Sequence, residues 1–243
     1  MKSGQHTPKN SRAARLLLAF VAAFGLSLSV VGQEKTPPPP SQTTAPPPAP
    51  RKSNSRPAAE TSAIEPYDQA TVAQMAEKCV RLETGAGVID IEMLPGAAPE
   101  TVRNFLNLTA ISFFDTTTFN RTVKGFVVQG GSIATRETHS PALMRRAART
   151  IIDEPNNVKH ERGVVSMARA EAPNSATTHF FILVGAAPHL DNKFAAFGRV
   201  VSGLEVVDAI NAAPAENEKP AQPVSLKRAT ITPACSPAPP PTP

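Results

Sequence analysis

The sequence predicts a mainly β domain, an antiparallel barrel closed by two helices. Three observations support this fold class: many short stretches that alternate apolar and polar residues, two segments with helical periodicity, and glycine turns between the stretches. The length agrees with one such domain. Between the proline-rich N-terminal region and the terminal PAPPPTP, the segment 78–236 has roughly 160 residues, about the size of one domain.

The first predicted elements are a hairpin and a helix. Val80 and Leu82 alternate with polar residues, TGAG supplies a turn, and the alternation resumes over 89–93. This pattern is typical of a β-hairpin with one buried face. Pro99 suits the first position of a helix, and Phe105 shares one helical face with its apolar neighbours, so a helix is predicted next.

The later predicted elements are five strands and one helix. Val206, Val207 and Ile210 fall on one side of a predicted helix over 203–211. Apolar runs bounded by turn residues predict the strands, at 125–129, 163–168, 179–184, 194–201 and about 225–233.

The N-terminus has the layout of a secretory signal peptide over residues 1–32. Residues 1–15 are basic and polar, 16–31 are apolar and uncharged, and Val30 and Gly32 are small enough for a cleavage site. The alternative is an uncleaved membrane anchor, although this apolar run is short for a span of about 20 residues. We therefore expect an exported protein of the periplasm or cell envelope, held at the membrane only if this segment stays uncleaved.

Proline-rich segments flank the predicted domain. Residues 33–66 contain almost no large apolar side chains, so they cannot bury enough surface to offset the entropy cost of ordering. We expect a disordered linker over 33–77, a folded domain over 78–236 and a proline-rich tail over 237–243. A PxxP-type ligand is the alternative to a simple spacer.

The positive charge does not indicate a nucleic-acid partner. The formal net charge is +5, and Lys2, Lys9, Arg12 and Arg15 precede residue 16 with no acidic residue among them. Without these four, the net charge is +1. The remaining Lys and Arg residues interleave with acids and do not cluster with aromatics, so we expect no nucleic-acid binding.

The sequence lacks the motifs of several common classes of enzyme. The five histidines form no metal-binding pattern, and there is no GxSxG elbow or Walker loop. The two cysteines, Cys79 and Cys235, lie 156 positions apart, which excludes a clustered zinc or redox motif. We expect no metal and no cofactor. A hydrolase assembled from scattered Ser, His and Asp residues remains an alternative.

The stretch FNRTVKGFVVQGG, at 119–131, resembles the signature of the cyclophilins, the peptidyl-prolyl cis-trans isomerases. Four further stretches are similar to the family's segments in the same order: VRLETGAGVIDIEML, APETVRNFLNL, KHERGVVSMARAEAPNSATTHFFILV and HLDNKFAAFGRVVSGLEVVDAI. The resemblance covers about residues 78–235. It implies an eight-stranded antiparallel barrel capped by two α-helices and a bacterial-type prolyl isomerase, which the predicted signal peptide makes an exported one.

The resemblance also implies the site that rotates X–Pro bonds. Arg121, Phe126 and Gln129 take the catalytic positions: the guanidinium donates to the twisting prolyl nitrogen, the ring lines the proline pocket, and the amide holds the substrate backbone. No covalent bond breaks, so neither a nucleophile nor a metal is required. The resemblance implies further substrate-binding positions at Val127, Ala168, Arg169, His179, Phe181, His189, Leu190 and Phe194.

Several of these positions depart from the commonest family pattern. Val127 replaces a frequent methionine, Arg169 a common asparagine, and His179 a glutamine. His189 takes the place of a frequent tryptophan, and Phe194 that of a frequent histidine. These changes concern substrate preference and inhibitor affinity more than activity.

The family's fold bears on the two cysteines as well. In a cyclophilin-like barrel the first and last strands are antiparallel neighbours, which implies that Cys79 and Cys235 lie close enough to bond. Export would place them where disulfides persist. We predict a Cys79–Cys235 disulfide, with two unpaired buried thiols as the alternative.

The resulting functional hypothesis is an exported prolyl isomerase, expected to be a monomer, that acts on proline-containing segments of folding client proteins. The alternative is a proline-directed chaperone or scaffold with little catalysis.

Overall fold

The computed structural model describes residues 64–235, so the predicted signal peptide and the proline-rich tail lie outside the described residues. The helices are α1 (Val72–Ala76), α2 (Pro99–Ala110), α3 (Pro141–Ala147) and α4 (Leu204–Ala212). The strands are β1 (Cys79–Thr84), β2 (Val88–Met93), β3 (Thr117–Phe119), β4 (Arg121–Val123), β5 (Val127–Gly130), β6 (Val164–Met167), β7 (Phe180–Leu183), β8 (Ala196–Ser202), β9 (Ala215–Glu216), β10 (Lys219–Pro220) and β11 (Val224–Thr232). Within 64–235, no helix is long and apolar enough to cross a membrane.

Nine strands form one antiparallel sheet in the order β3-β11-β1-β2-β8-β6-β7-β5-β4. Its two outer strands, β3 and β4, are consecutive in the chain and separated by Asn120 alone. One bent segment therefore belongs to both ends of the sheet and curls it into a nearly closed barrel. With β3 and β4 counted as a single bent strand, the barrel has the eight strands that the family resemblance implies, and the mainly β fold class is confirmed. The two predicted helices are α2 and α4, and the short helices α1 and α3 were not predicted.

Phenylalanine rings fill the interior of the barrel. The ring of Phe105, from α2, lies 5.1, 5.2 and 4.9 Å from those of Phe114, Phe180 and Phe197, measured between centroids. All four side chains are buried. Each such burial stabilises the fold by about 1.5–3 kcal/mol, so this cluster fixes α2 against the inner face of the sheet.

The N-terminus of α2 is capped by a residue far along the chain. The Glu154 carboxylate accepts from the backbone N–H groups of Glu100 at 3.0 Å and Thr101 at 2.7 Å. A carboxylate at this end of a helix satisfies otherwise unpaired N–H groups and complements the helix dipole. This contact holds the segment after α3 against α2.

The structure corrects the predicted boundary at residue 77. Residues 64–77 belong to the folded domain, as a short segment with α1 that packs along α2. Arg103 Nη1 donates to the carbonyl oxygens of Tyr67 and Ala70, each at 2.7 Å, and Met75 is fully buried. The prediction of disorder was wrong here because polar contacts with α2, which composition does not reveal, order this segment.

Arg103→Ala is therefore expected to lower the free energy of unfolding by about 2–4 kcal/mol, because the backbone carbonyls of Tyr67, Asp68 and Ala70 lose their donor. Urea denaturation measures the change. The control is Arg228→Ala, which removes an exposed ion pair with Glu83 and should cost at most about 1 kcal/mol. Equal effects of the two substitutions would show that Arg103 does not hold residues 64–77 in place.

Cys79 and Cys235 form a disulfide, and their Cα atoms lie 5.0 Å apart. The predicted bond is confirmed. One detail differs: β11 ends at Thr232, which pairs with Cys79, so Cys235 follows the last strand by three residues and does not close it. The bond joins the start of β1 to the end of the described chain.

Candidate active site

Arg121 and Gln129 are direct cross-strand partners on β4 and β5. Paired residues on neighbouring antiparallel strands project from the same face. Arg121 Nη1 donates to Gln129 Oε1 at 3.1 Å, and both side chains are half-buried on the outer face of the barrel. The alternating faces of β5 put Val128 in the core and Gln129 outside, which explains a polar residue at the end of an apolar run.

An apolar groove of about 190 Å³ lies beside this pair. Its base belongs to a small apolar cluster, separate from the barrel interior, that includes Val127, Phe181 and Leu190. The nine lining residues are all positions that the sequence predicted: Arg121, Phe126, Val127, Gln129, Ala168, Arg169, Phe181, Leu190 and Phe194.

Two predicted substrate-binding residues do not line the groove. His189 is exposed, and its ring centroid lies 5.5 Å from that of Phe126, so it flanks the groove wall. His179 is half-buried, burial lowers its pKa, and its carbonyl accepts from the Ala168 N–H at 2.9 Å. The structure thus places both histidines next to groove residues, and their roles in binding remain predictions.

Two departures from the family pattern contact each other in the groove wall. The Arg169 guanidinium lies 5.3 Å from the centroid of the Phe194 ring, a cation–π arrangement. Phe194 in turn meets Phe181 edge to face, with centroids 5.9 Å apart. Arg169 and Phe194 therefore contact each other where two parts of the groove lining meet, a contact that the sequence does not reveal because the two positions lie on different segments.

Glu218 contacts Arg121 and was not predicted from the sequence. Its Oε2 accepts from Arg121 Nε at 2.8 Å, and its backbone carbonyl accepts from the Thr122 N–H at 2.9 Å. It lies in the turn between β9 and β10 with a φ of 64°. Glu218 and Gln129 together orient the guanidinium, whose remaining N–H groups stay available to a ligand. No sequence motif links positions 121 and 218.

Glu218→Ala is expected to lower kcat/KM about two- to fivefold, because the pair is largely exposed and such pairs contribute about 1 kcal/mol or less. Steady-state isomerase kinetics measure this change. Glu216→Ala, on the neighbouring β9, is the matched control and should keep wild-type kinetics. A loss as large as that of Arg121→Ala would contradict a purely orienting role for Glu218.

A buried Ser-His-Asp chain bears on the hydrolase alternative. His160 Nε2 lies 2.9 Å from Ser166 Oγ, and His160 Nδ1 lies 3.2 Å from Asp191 Oδ1. Ser166 is fully buried, so its hydroxyl cannot reach a peptide carbonyl. The arrangement resembles a hydrolytic triad in its hydrogen bonds but lacks access to substrate.

The contacts of Asp191 and His160 set the charges in this Ser-His-Asp arrangement. The backbone N–H of His160 and the ammonium of Lys159 lower the pKa of Asp191 to about 2. Burial lowers the pKa of His160 and outweighs the opposing effect of Asp191. At neutral pH the chain therefore pairs a carboxylate with a neutral imidazole. Within residues 64–235, no group of three or more His, Cys, Asp or Glu side chains could hold a metal ion.

Together, fold and site define a class of protein. A charged donor held beside an apolar groove, on the outside of an antiparallel barrel, suits rotation about a proline peptide bond, which requires no bond cleavage. These features are those of a prolyl isomerase barrel.

Comparison with known proteins supports the same class of protein. A family model described as cyclophilin type peptidyl-prolyl cis-trans isomerase/CLD matches residues 79–231. A peptidyl-prolyl cis-trans isomerase of Arabidopsis thaliana is 36% identical over 141 residues, 57% of this chain and 62% of that protein. Peptidyl-prolyl cis-trans isomerase B of Escherichia coli is 37% identical over 146 residues, 54% of this chain and 82% of that protein.

A solved structure shares the fold as well. The crystal structure of a Cryptosporidium parvum cyclophilin type isomerase, in the presence of the dipeptide Ala-Pro, matches with a TM-score of 0.56 and 28% identity. The match covers 63% of this chain and 98% of that one. The chain belongs to the cyclophilin-type peptidyl-prolyl cis-trans isomerases.

Cyclosporin is expected to bind this protein weakly. At the position of His189, many family members carry tryptophan, which offers more apolar area and an N–H donor to cyclosporin-type ligands. His189→Trp should therefore tighten binding, as measured by titration calorimetry. His139→Trp, at another exposed histidine, is the control and should change nothing. Tight binding by the wild type would contradict this expectation.

Proposed function

We propose that this isomerase is exported and accelerates X–Pro rotation in client proteins that fold outside the cytoplasm. The observation that carries the mechanism is the Arg121–Gln129 pair beside the apolar groove.

The energetic requirement for catalysis is moderate. Rotation about a peptide bond must overcome partial double-bond character, a barrier of about 18–20 kcal/mol. Unaided X–Pro isomerisation takes roughly 10–100 s. An increase from about 0.05 to about 1000 turnovers per second corresponds to roughly 6 kcal/mol of differential stabilisation. Positioning and one charge-assisted hydrogen bond can supply an amount of this size.

Arg121 supplies the donor in this mechanism. As the amide twists out of conjugation, the lone pair of the prolyl nitrogen localises and becomes an acceptor, so a permanently charged guanidinium stabilises the twisted state more than the planar one. Glu218 takes Nε and Gln129 takes one Nη1 proton, which leaves the other N–H groups for this role.

Gln129 and the groove hold the substrate in place. Because Gln129 Oε1 accepts from Arg121, its amide N–H groups can donate to a substrate backbone carbonyl. Phe126, Phe181 and Leu190 offer apolar surface to the pyrrolidine ring. A fixed ring and a fixed backbone on one side of the X–Pro bond confine the motion to rotation of the other side.

Two features support export. Residues 1–32 have the composition of a signal peptide, and disulfides such as Cys79–Cys235 persist mainly in oxidising compartments. Fractionation of expressing cells, followed by N-terminal sequencing, tests the proposal. We expect soluble protein outside the cytoplasm that begins at residue 33. Intact protein in the membrane fraction would favour an anchor, and intact protein in the cytoplasm would overturn export.

A further inference from the structure

His160 connects two segments that adjoin the groove lining. Its side chain has no exposed surface. The ring contacts Ser166 Oγ at 2.9 Å and Asp191 Oδ1 at 3.2 Å, while the backbone N–H of His160 donates to the same Oδ1 at 2.8 Å. Lys159 Nζ donates to Asp191 Oδ2 at 3.0 Å. The carboxylate thus receives three contacts from two consecutive residues.

The two ends of this hydrogen-bonded chain lie next to two different parts of the groove lining. Ser166 pairs with Phe181 across β6 and β7, and that strand runs on toward Ala168. Asp191 directly follows Leu190 in the loop that leads to Phe194. The sheet therefore supplies one part of the lining, with Ala168 and Phe181, and a loop without strand pairing supplies the other, with Leu190 and Phe194. We call these parts the sheet wall and the loop wall, and they meet where Phe194 contacts Phe181.

We propose that His160, acting through Asp191 and Ser166, is the positioning residue that sets the distance between the sheet wall and the loop wall of the proline groove. The inference deepens the isomerase function and rests on it. His160 does not line the groove, so its influence on substrate passes through the residues it holds.

Only one tautomer of His160 gives a hydrogen-bond partner to each polar group of the Ser166–His160–Asp191 network. Nδ1–H donates to Asp191, and the unprotonated Nε2 accepts from the Ser166 hydroxyl. A fully satisfied buried network of this kind favours a single arrangement of its neighbours. Removing any member leaves a buried polar atom without a partner, which is costly, so the loop should move to restore a contact.

Protonation of His160 should loosen the groove. A proton on Nε2 removes the acceptor of the Ser166 hydroxyl. The charged and titratable groups around His160 are Asp191, Lys159 and His189. Burial lowers the pKa of His160 more than Asp191 raises it. The neutral form therefore prevails at neutral pH. The groove should widen only as the pH falls below the ordinary histidine value of about 6.5.

The position of the network predicts which kinetic constant changes. Leu190 and Phe194 are apolar groove residues, and we expect them to contact the substrate equally before and during rotation. Losing their alignment should therefore weaken uniform binding and raise KM. Arg121, on β4, keeps its contacts with Gln129 on β5 and with Glu218. For these reasons kcat should be nearly unchanged.

The test measures kcat and KM for an X–Pro peptide with His160→Gln, Ser166→Ala, Asp191→Ala and Asp191→Asn. We expect His160→Gln and Asp191→Ala to raise KM about tenfold with kcat within about twofold, and Ser166→Ala to raise KM about threefold. Asp191→Asn keeps an acceptor for both His160 N–H groups and should restore most of the wild-type KM. His139→Gln, at an exposed histidine, is the control and should match the wild type.

A pH series provides the second readout. In the wild type, KM should rise as the pH is lowered. The midpoint of this rise should equal the midpoint of the His160 imidazole titration measured by NMR, and the rise should vanish in His160→Gln. Unchanged KM in the folded variants, or an acid rise that persists without His160, would overturn the proposal. If His160→Gln and Asp191→Ala do not fold, an unchanged KM in Ser166→Ala overturns it.

Failure of this inference is distinguishable from failure of the isomerase function. If the wild type showed no turnover, the function would fail, and peptide dissociation constants from NMR titration would replace KM in the comparison. The variants that were expected to raise KM most should then bind the peptide most weakly. Equal peptide affinities for the wild type and all variants would overturn the positioning role.

Discussion

Arg121→Ala is expected to lower kcat/KM about 100- to 1000-fold, mostly through kcat, because its hydrogen bond to the prolyl nitrogen strengthens only as the amide twists. The fold should survive. The Arg121 side chain is 39% exposed, and its partners Gln129 and Glu218 also lie on the surface. A melting temperature within a few degrees of the wild type is expected from a surface substitution of this kind.

Arg162→Ala is a matched control for this substitution. Arg162 forms an ion pair with Asp208 in which both side chains are exposed to nearly the same extent as in Arg121–Glu218. The control should keep wild-type kcat and KM. Near wild-type turnover in Arg121→Ala would contradict the donor role, whereas a loss in both variants would indicate a general effect of removing surface charge.

Loss of the disulfide is expected to have the largest effect on stability. The Cys79–Cys235 bond closes a loop with a sequence separation of 156. In the chain-entropy model a closed loop of this length stabilises by up to about 5 kcal/mol, and removal of native disulfides typically costs 2–5 kcal/mol. The double variant Cys79→Ser, Cys235→Ser should lose about this amount, measured by guanidinium denaturation.

Reduction supplies the control for the disulfide. Dithiothreitol should destabilise the wild type by a similar amount and leave the double variant unaffected. Isomerase activity of the folded double variant should stay near wild type, because β1 and β11 contribute no side chain to the groove. Equal stability of oxidised and reduced wild type would contradict the expected role of the bond.

The barrel could be predicted from the sequence because its long elements carry clear patterns. The alternation that begins at Val80, and the helical faces containing Phe105 and Ile210, each belong to elements of six or more residues, and their predicted ends differ from the structure by at most a few positions. The strands β3 and β4 have three residues each, too few to show a period, and only their pairing across Asn120 reveals how the barrel closes.

The site could be predicted where its residues share one motif. Arg121, Phe126 and Gln129 fall within a single stretch, and strand pairing makes two of them neighbours. Glu218 and His160 could not be found in this way. Glu218 reaches Arg121 across 97 positions through an irregular turn, and His160 reaches Asp191 across 31, in contacts that only the folded chain creates.

The N-terminal boundary shows where composition misleads. Residues 64–77 resemble the linker before them in polarity, yet Met75 is buried and Tyr67 donates its N–H to the Asn107 side chain at 2.7 Å. The partners that order this segment lie on α2 and, for Glu65, on α3, so no local pattern could show them. A helix of five residues, such as α1, is also too short to display a face.

Exchange NMR on an X–Pro peptide tests the central claim most directly. Cis and trans forms of such a peptide give separate signals that interconvert too slowly to exchange unaided. A catalytic amount of the wild-type protein should produce exchange cross-peaks with a rate proportional to enzyme concentration, and Arg121→Ala should nearly abolish them. Peptide binding without faster exchange would contradict the account and identify a proline-directed scaffold.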